Sequence, residues 1–139
     1  REILERGDRL HRYLELSDFE GKDVSFIPDE KERSLIERVL HMPIFEDMDY
    51  ERVYPEYGYY DPDFDSTGSV DLLFFDKQGN AHIVDYKSHG IDDPAYEKQL
   101  SVYYRNIKRI FGLEDNQIKL HLLSISRAII KDIDNPYSE

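Results

Sequence analysis

The sequence predicts a single α/β domain with a mixed β-sheet flanked by helices. Two apolar segments, residues 69–75 and 81–87, are separated by the turn-forming sequence DKQGN and are predicted to form an antiparallel hairpin. A helical segment and another strand-like segment follow, and a strand–helix–strand unit of this length fits a right-handed parallel crossover. The near-continuous apolar composition of VDLLFF and AHIVDY predicts that helices cover both faces of the sheet.

The N-terminal half is predicted to contain two helices and one strand. The first helix, residues 1–16, has helical spacing that places these residues near one face: Ile3, Leu4, Leu10, His11 and Leu14. A second helix is expected over about residues 29–40. Residues 52–60 alternate as a strand, in which Pro55 indicates an edge position or a bulge. DPDFDSTG, residues 61–68, has the composition of a loop.

The third predicted helix is delimited by signals at both ends. Asp92 or Asp93 can cap its N-terminus, Pro94 suits the first turn, and Gly112 stands where a left-handed terminator belongs. Its expected buried stripe is Tyr96, Leu100, Tyr103, Ile107 and Ile110. Residues 118–129 are predicted to form one strand, and the closing NPYSE is expected to be disordered or truncated. The predicted order is therefore helix, helix, three strands, helix, strand.

Length and composition limit the classes of protein to which this chain can belong. A chain of 139 residues supports one compact domain and is too short for two comfortable ones. The absence of cysteine excludes disulfides, thiolate zinc sites and iron–sulfur clusters. No apolar run is long enough to span a bilayer and the N-terminus has no signal-peptide pattern, so we expect a soluble, cytoplasmic protein without a membrane partner. The chain begins within a helical pattern, which we interpret as an excised piece of a larger protein.

The net charge of −12 argues against free-standing nucleic-acid binding, because affinity for phosphates comes mainly from lysine and arginine. If DNA is the substrate, another component is expected to deliver it. The alternative interpretation of the acidity is an ordinary solvated surface.

Two carboxylates and a lysine are predicted to meet on the hairpin. If Phe75 and Ala81 close the loop, Asp71 lies directly across from Asp85, and strand alternation puts Lys87 on the face of Asp85. Carboxylates this close repel one another unless a cation or proton intervenes, and Mg²⁺ prefers such oxygen ligands. The lysine could orient or deprotonate the attacking water, or neutralise developing phosphate charge. A purely structural Asp–Lys salt-bridge cluster is the open alternative.

At these residues the chain resembles a known family. GSVDLLFF and IVDYKS, preceded by RGDRLH and followed by YEKQLSVYY, resemble the RecB-type nucleases of the PD-(D/E)XK superfamily, and most closely the C-terminal nuclease domain of AddA-type helicase–nucleases of the UvrD/RecB-like helicase family. The resemblance implies a restriction-endonuclease-like αβββαβ core. It also implies that residues 1–139 are one nuclease domain from a larger helicase–nuclease.

The resemblance further implies roles for individual residues. Asp71 and Asp85 would be metal ligands, the backbone carbonyl of Tyr86 a third, and Lys87 the catalytic lysine. His11 matches the histidine that completes the metal shell, although a single helical histidine, judged alone, is more often packed or solvated.

Four further positions match the family. Gly7 falls where the first helix must pack closely. Gln99 and Tyr103 match the Q-x-x-x-Y motif, which would point toward DNA or the active-site edge, although Tyr103 could simply continue the buried stripe. Glu56 stands where the family often has an acidic residue, and the alternative is that it is an exposed strand residue.

The remaining histidines have no mutual spacing that predicts a metal site: His41, His82, His89 and His121.

The expected function is a Mg²⁺-dependent deoxyribonuclease, with Mn²⁺ as a substitute, that hydrolyses phosphodiester bonds as an exonuclease in double-strand break repair and recombination. DNA single strands would be fed to it by helicase domains of the parent chain, and an AddB-like subunit is the implied partner. The alternatives are a nuclease-like fold that serves as a non-catalytic DNA-binding or structural module, and a stand-alone exonuclease of the same superfamily.

Overall fold

The computed structural model describes residues 2–88 and 90–135, with side chains from residue 5 onward. Its helices are α1 (Glu2–Leu16), α2 (Glu30–Leu40) and α3 (Ala95–Phe111). Its strands are β1 (Met48–Asp61), β2 (Ser66–Asp76), β3 (Ala81–Lys87), β4 (Ile118–Ser124) and β5 (Ile129–Ile133). Short 3₁₀ helices at Pro43–Phe45 and Asp115–Gln117 precede β1 and β4.

The five strands form one mixed sheet in the order β1-β2-β3-β4-β5. Neighbouring strands are antiparallel except β3 and β4, which are parallel and joined by α3 as a crossover. This confirms the predicted α/β architecture with helices flanking a mixed sheet. Pro55 lies in β1, at the edge of the sheet, where a residue without an N–H interrupts no interior ladder.

Side chains and a glycine stabilise the helix ends, as the sequence predicted for α3. The Asp29 side chain accepts a hydrogen bond from the N–H of Glu32 (2.9 Å) and caps α2. Asp93 accepts the N–H of Ala95 (2.9 Å) at the start of α3. Gly112 ends α3 with a φ of 64°, a conformation that glycine adopts without a Cβ clash.

Hydrophobic cores lie on both faces of the sheet. α1 and α2 cover Leu72, Phe74 and Val84, whereas α3 covers the alternate residues of the same strands. Ile110, predicted to be buried, is 38% exposed, because Phe111 one position further packs against the sheet in its place. The side chains of Ile3 and Leu4 lie outside the described residues.

One loop prediction and one strand prediction were wrong. β1 extends to Asp61 and β2 begins at Ser66, because cross-strand pairing continues to the Asp61–Ser66 rung and leaves only a four-residue turn. Residues 118–129 are two strands rather than one, since β5 folds back on β4 after Ser124. That turn contains no Gly, Pro or Asn, and Ala128 adopts a φ of 50° within it. Of the predicted disordered NPYSE, residues 136–139 lie outside the described part.

Within the part of the chain that the structure describes, no helix is both long and apolar enough to cross a lipid bilayer.

Candidate metal and catalytic centre

The candidate site lies where β2 and β3 part. Their ladder pairs Leu72–Val84 through Phe75–Ala81, which confirms the predicted hairpin register. Beyond Leu72–Val84 a side chain takes the place of the backbone pairing: Oδ2 of Asp71 accepts the N–H of Tyr86 (2.7 Å). The Asp71 and Asp85 carboxylates are close enough here for each to shift the pKa of the other. Both carboxylates therefore meet at the point where the strands part.

Glu56 reaches the same fork from the edge strand β1 through an unusual backbone conformation. Its φ is 49°, in the left-handed region. Tyr54 and Tyr57 both pack toward α3 although they are three residues apart, so strand alternation changes phase between them. The phase change turns Glu56 toward α1, where its carboxylate lies near His11 and Asp71.

α1 brings His11 to the fork because Gly7 lets the helix approach closely. A Cβ at Gly7 would lie 2.9 Å from Cβ of Ser88, the residue that follows β3. One turn further along α1, Nε2 of His11 lies 3.2 Å from Oδ1 of Asp71. Ligand atoms of His11, Glu56 and Asp71 all lie within 4.8 Å of one another, close enough to bind one cation.

Lys87 is fixed on the other side of Asp71 by three groups. Its Nζ lies 2.9 Å from Oδ2 of Asp85, donates a hydrogen bond to Oε1 of Gln99 (2.9 Å), and sits 4.2 Å from the centre of the Tyr96 ring. Gln99 Nε2 in turn donates to the hydroxyl of Tyr103 (2.9 Å). The ammonium is thereby held at a defined position beside the carboxylates.

The two aspartates have opposite pKa shifts. Burial, together with the neighbouring Asp71, raises the pKa of Asp85 to about 7, against the opposing effect of Lys87. Burial also acts to raise the pKa of Asp71, but hydrogen bonds from His11, from Asp85 and from the Tyr86 N–H outweigh it and hold that pKa below its usual value. One proton shared by the pair satisfies both shifts.

Negative charge accumulates around His11 as well. The hydrogen bond to Asp71, with the charges of Asp71, Glu56 and Glu15, raises the pKa of His11 against the effect of burial. Burial and repulsion from Asp71 and Glu15 raise the pKa of Glu56. A cation at this position would relieve the repulsion among these carboxylates.

The structure brings every predicted site residue to this fork. Asp85, however, is not a member of the three-residue group formed by His11, Glu56 and Asp71; it lies beyond Asp71, toward Lys87. Tyr86 contributes its backbone N–H, and the predicted role of its carbonyl stays a prediction. Tyr103 fits both of its interpretations, since it is only 8% exposed and also bonds Gln99.

Two neighbours of the site were not foreseen. Glu15 acts electrostatically on His11 and Glu56, and its position four residues after His11, on the same helical face, is a signal that the sequence contains. Tyr96 was assigned to the buried stripe of α3, but its ring face contacts the Lys87 ammonium.

The donor set fits a hard divalent cation. Two carboxylates and one imidazole converge and a third carboxylate, Asp85, adjoins Asp71, so oxygen ligands predominate. The raised pKa values of Asp85 and Glu56 indicate negative charge that the protein does not fully compensate. His11 could be a ligand only in its neutral form, so binding of a cation would displace its proton.

Fold and site together define a mixed α/β protein with a carboxylate–histidine–lysine cluster at a fork in its sheet. No protein-family model matches the chain, and the comparison with curated proteins gives no match either.

Proposed function

We propose that this chain is a Mg²⁺-dependent nuclease domain of the PD-(D/E)XK type, which hydrolyses phosphodiester bonds in DNA. The observation that supports the proposal is the convergence of Asp71, Asp85 and Lys87 with His11 and Glu56 at one fork of the sheet. A structural salt bridge needs only one acid and one base. It does not account for two further carboxylates or for a strained Glu56 at the same point.

The cation would be held by Asp71, with His11, Glu56 and Asp85 as the surrounding donors. When bound, Mg²⁺ polarises a phosphoryl oxygen and lowers the pKa of a coordinated water molecule. Asp85, buried and in contact with Asp71, can accept a proton at near-neutral pH.

Lys87 is the group that we assign to the scissile phosphate. Its ammonium can donate hydrogen bonds to a phosphate oxygen and so stabilise negative charge that develops during attack. Asp85, Gln99 and the Tyr96 ring orient it before substrate arrives, so little reorganisation is needed. Tyr103 fixes Gln99 and acts as a positioning residue.

The net negative charge of the chain bears on how DNA would reach the site. With a net charge of −12, the domain would bind DNA weakly by itself, since few counterions are released. We therefore propose that residues 1–139 work as one domain of a cytoplasmic helicase–nuclease. Its motor supplies single strands for exonucleolytic cleavage during double-strand break repair, with an AddB-like subunit as partner.

The test is cleavage of end-labelled single-stranded DNA, with Mg²⁺, by wild-type protein and by Asp85→Asn. We expect at least a thousandfold loss of rate in the variant, since it removes both a proposed metal donor and the Lys87 partner. Glu51→Gln, an exposed acid in β1, is the matched control and should retain the wild-type rate.

The same assay is run with the domain fused to a helicase motor, so that delivery of DNA is not limiting. Cleavage by Asp85→Asn at the wild-type rate would refute the assignment. A folded wild-type protein that binds Mn²⁺ but cuts no DNA in either form would instead favour the non-catalytic module.

A further inference from the structure

Four ionisable side chains form a hydrogen-bonded chain at the end of the sheet opposite the candidate site. Nε2 of His82 contacts Oδ2 of Asp76 (2.8 Å), Nδ1 of His82 contacts Nε2 of His121 (2.9 Å), and Nδ1 of His121 contacts Oδ1 of Asp132 (2.7 Å). We call these four residues the histidine chain. They come one each from β2, β3, β4 and β5, so the chain crosses four neighbouring strands. Sequence spacing did not predict this contact, because it depends on the parallel register of β3 and β4.

The two imidazoles meet edge to edge. Their planes differ by 10° and their centres are 5.1 Å apart. An N···N distance of 2.9 Å is shorter than the roughly 3.5 Å between atoms of two rings lying face to face. The facing nitrogens therefore lie between the ring centres in nearly one plane. This is the geometry of an in-line N–H···N hydrogen bond.

Counting protons shows that one ring is charged. Oδ1 of Asp76 accepts the N–H groups of Gln78 and Asn80 (3.0 Å each), so its carboxylate is an acceptor throughout and His82 must donate from Nε2. Oδ1 of Asp132 is the oxygen that faces Nδ1 of His121, so His121 donates from Nδ1. The contact between the rings needs a third proton. Three protons on four ring nitrogens make one imidazole and one imidazolium.

The surroundings disfavour charge on His121. Burial, with the charges of His82 and Lys119 and against the effect of Asp132, lowers the pKa of His121 to about 4. The ring of His82 stacks on Phe74 with centres 4.6 Å apart.

Other charged groups also face the histidine chain. An open cavity of about 670 Å³ adjoins it on the β4–β5 side, where Lys119 and Asp134 contribute to the lining. These two residues join Asp76 of β2 and Asp132 of β5 as the charged groups around the histidines.

A metal ion does not fit the same arrangement. Among residues 5–88 and 90–135, the group of three or more His, Asp or Glu side chains close enough to share an ion is the one at His11, Glu56 and Asp71. In the histidine chain the donors follow one another in line instead of surrounding a point. Two facing nitrogens at 2.9 Å leave room for a proton but not for a cation bonded to both in line, since each metal–nitrogen bond is about 2.0 Å.

We propose that His82 and His121 form a proton-binding site, in which one proton shared between the rings at neutral pH links β3 to β4. A second proton in acid would place two N–H groups face to face, and loss of the shared proton in base would leave two lone pairs opposed. Either change breaks the contact between His82 of β3 and His121 of β4, whereas the bond from His121 to Asp132 of β5 remains. The side-chain link between β3 and β4 is thus pH-sensitive, independent of the proposed nuclease activity.

Nitrogen-15 NMR of the imidazole rings in the whole chain tests the proton count directly. At pH 7 we expect one neutral ring protonated on one nitrogen, one doubly protonated ring, and an N–H signal coupled to nitrogens of both rings. Two neutral rings, two charged rings, or the absence of that coupling would overturn the proposal. This measurement needs no variant and so does not depend on whether a variant folds.

Amide hydrogen exchange tests the link between β3 and β4. After correction for the intrinsic pH dependence of exchange, the amides that pair β3 with β4 between the His82 and His121 rungs should lose at least tenfold protection between pH 6 and pH 4 in the wild type. His121→Gln should have low protection there at both pH values, and His41→Gln, which changes an exposed histidine outside the histidine chain, should behave as the wild type. Unchanged protection of these amides in acid, or an equal effect of His41→Gln, would overturn the proposal.

Discussion

At residue scale, Gly7 shows how one missing side chain sets the distance between α1 and the fork. Helix formation alone would favour alanine there by about 1 kcal/mol. The Cβ of alanine, however, would meet Cβ and Oγ of Ser88 at 2.9 Å, and the Cβ cannot rotate away. Close packing at this point therefore outweighs helix propensity, and it is what allows His11 to reach Asp71.

Gly7→Ala is expected to lower the free energy of unfolding by about 1–2 kcal/mol, because overpacking exceeds the gain in helix propensity. Urea denaturation measures it. Gly90→Ala, at which a Cβ would meet nothing within 4 Å, is the control and should change stability by less than about 0.5 kcal/mol. A more stable Gly7→Ala would mean that α1 can move away from Ser88 freely.

Glu56 is a second residue whose conformation is costly. A non-glycine residue in the left-handed region lowers the stability of the folded state by roughly 1 kcal/mol or more. The carboxylate of Glu56 is also repelled by Asp71. Such strain is typical of residues that a protein retains for function.

Glu56→Gly is therefore expected to stabilise the cation-free protein by up to about 1 kcal/mol in urea denaturation while it weakens Mn²⁺ binding in calorimetry at least tenfold. Asp65→Gly, another left-handed non-glycine residue but in the β1–β2 turn, is the matched control. It should leave Mn²⁺ affinity unchanged. Unaltered Mn²⁺ affinity in Glu56→Gly would remove Glu56 from the site.

At the scale of elements, a buried ion pair joins α1 to α2. Glu32 of α2 is only 5% exposed, and its two oxygens accept hydrogen bonds from Nε and Nη2 of Arg9 (2.9 and 2.6 Å). Arg6 adds a longer contact of 3.7 Å. Since α1 carries both Gly7 and His11, this pairing of helices also supports the position of His11.

Glu32→Gln should lower the free energy of unfolding by about 2–3 kcal/mol, because it leaves the arginines without their buried anion. Glu30→Gln, an exposed residue in the first turn of the same helix, should lose only a few tenths of a kcal/mol. Urea denaturation of the wild type and the two variants at pH 7 measures the three free energies of unfolding. Equal losses in both variants would show that the helix dipole, and not the ion pair, is responsible.

The strands and helices also show which structural features a sequence pattern can predict. The β2–β3 register and the termination of α3 at Gly112 were predicted, since each depends on residues close together in the chain. The division of residues 118–129 into β4 and β5 was not, because the turn between them contains no Gly, Pro, Asn or Asp and has Ser126 as its one turn-favouring residue. Pairing with the edge of β4 decides where that segment reverses.

At the scale of the whole molecule, charge and cation binding are linked. A chain of net charge −12 repels itself, and the proposed centre brings the carboxylates of Glu56 and Asp71 together, with Asp85 beside them. A divalent cation held there should stabilise the folded state, because the unfolded chain has no such site.

Mn²⁺ at a hundred times its dissociation constant is expected to raise the free energy of unfolding of the wild type by about 2.7 kcal/mol. Urea denaturation with and without Mn²⁺ measures this, with ionic strength matched by KCl so that screening is equal. Asp71→Asn should gain less than about 0.5 kcal/mol under the same conditions, whereas Glu51→Gln should gain as much as the wild type. Equal stabilisation of Asp71→Asn would indicate diffuse ion binding and no defined centre.

The sequence by itself determined the mixed α/β architecture and the meeting of Asp71, Asp85 and Lys87, because a hairpin with a short loop has its register set by nearby residues. Tertiary structure alone decided that Glu56 turns toward His11 and that His82 and His121 share a contact. Both arrangements join strands whose alignment depends on packing across the whole sheet. The residue pattern of a single segment therefore does not predict that alignment.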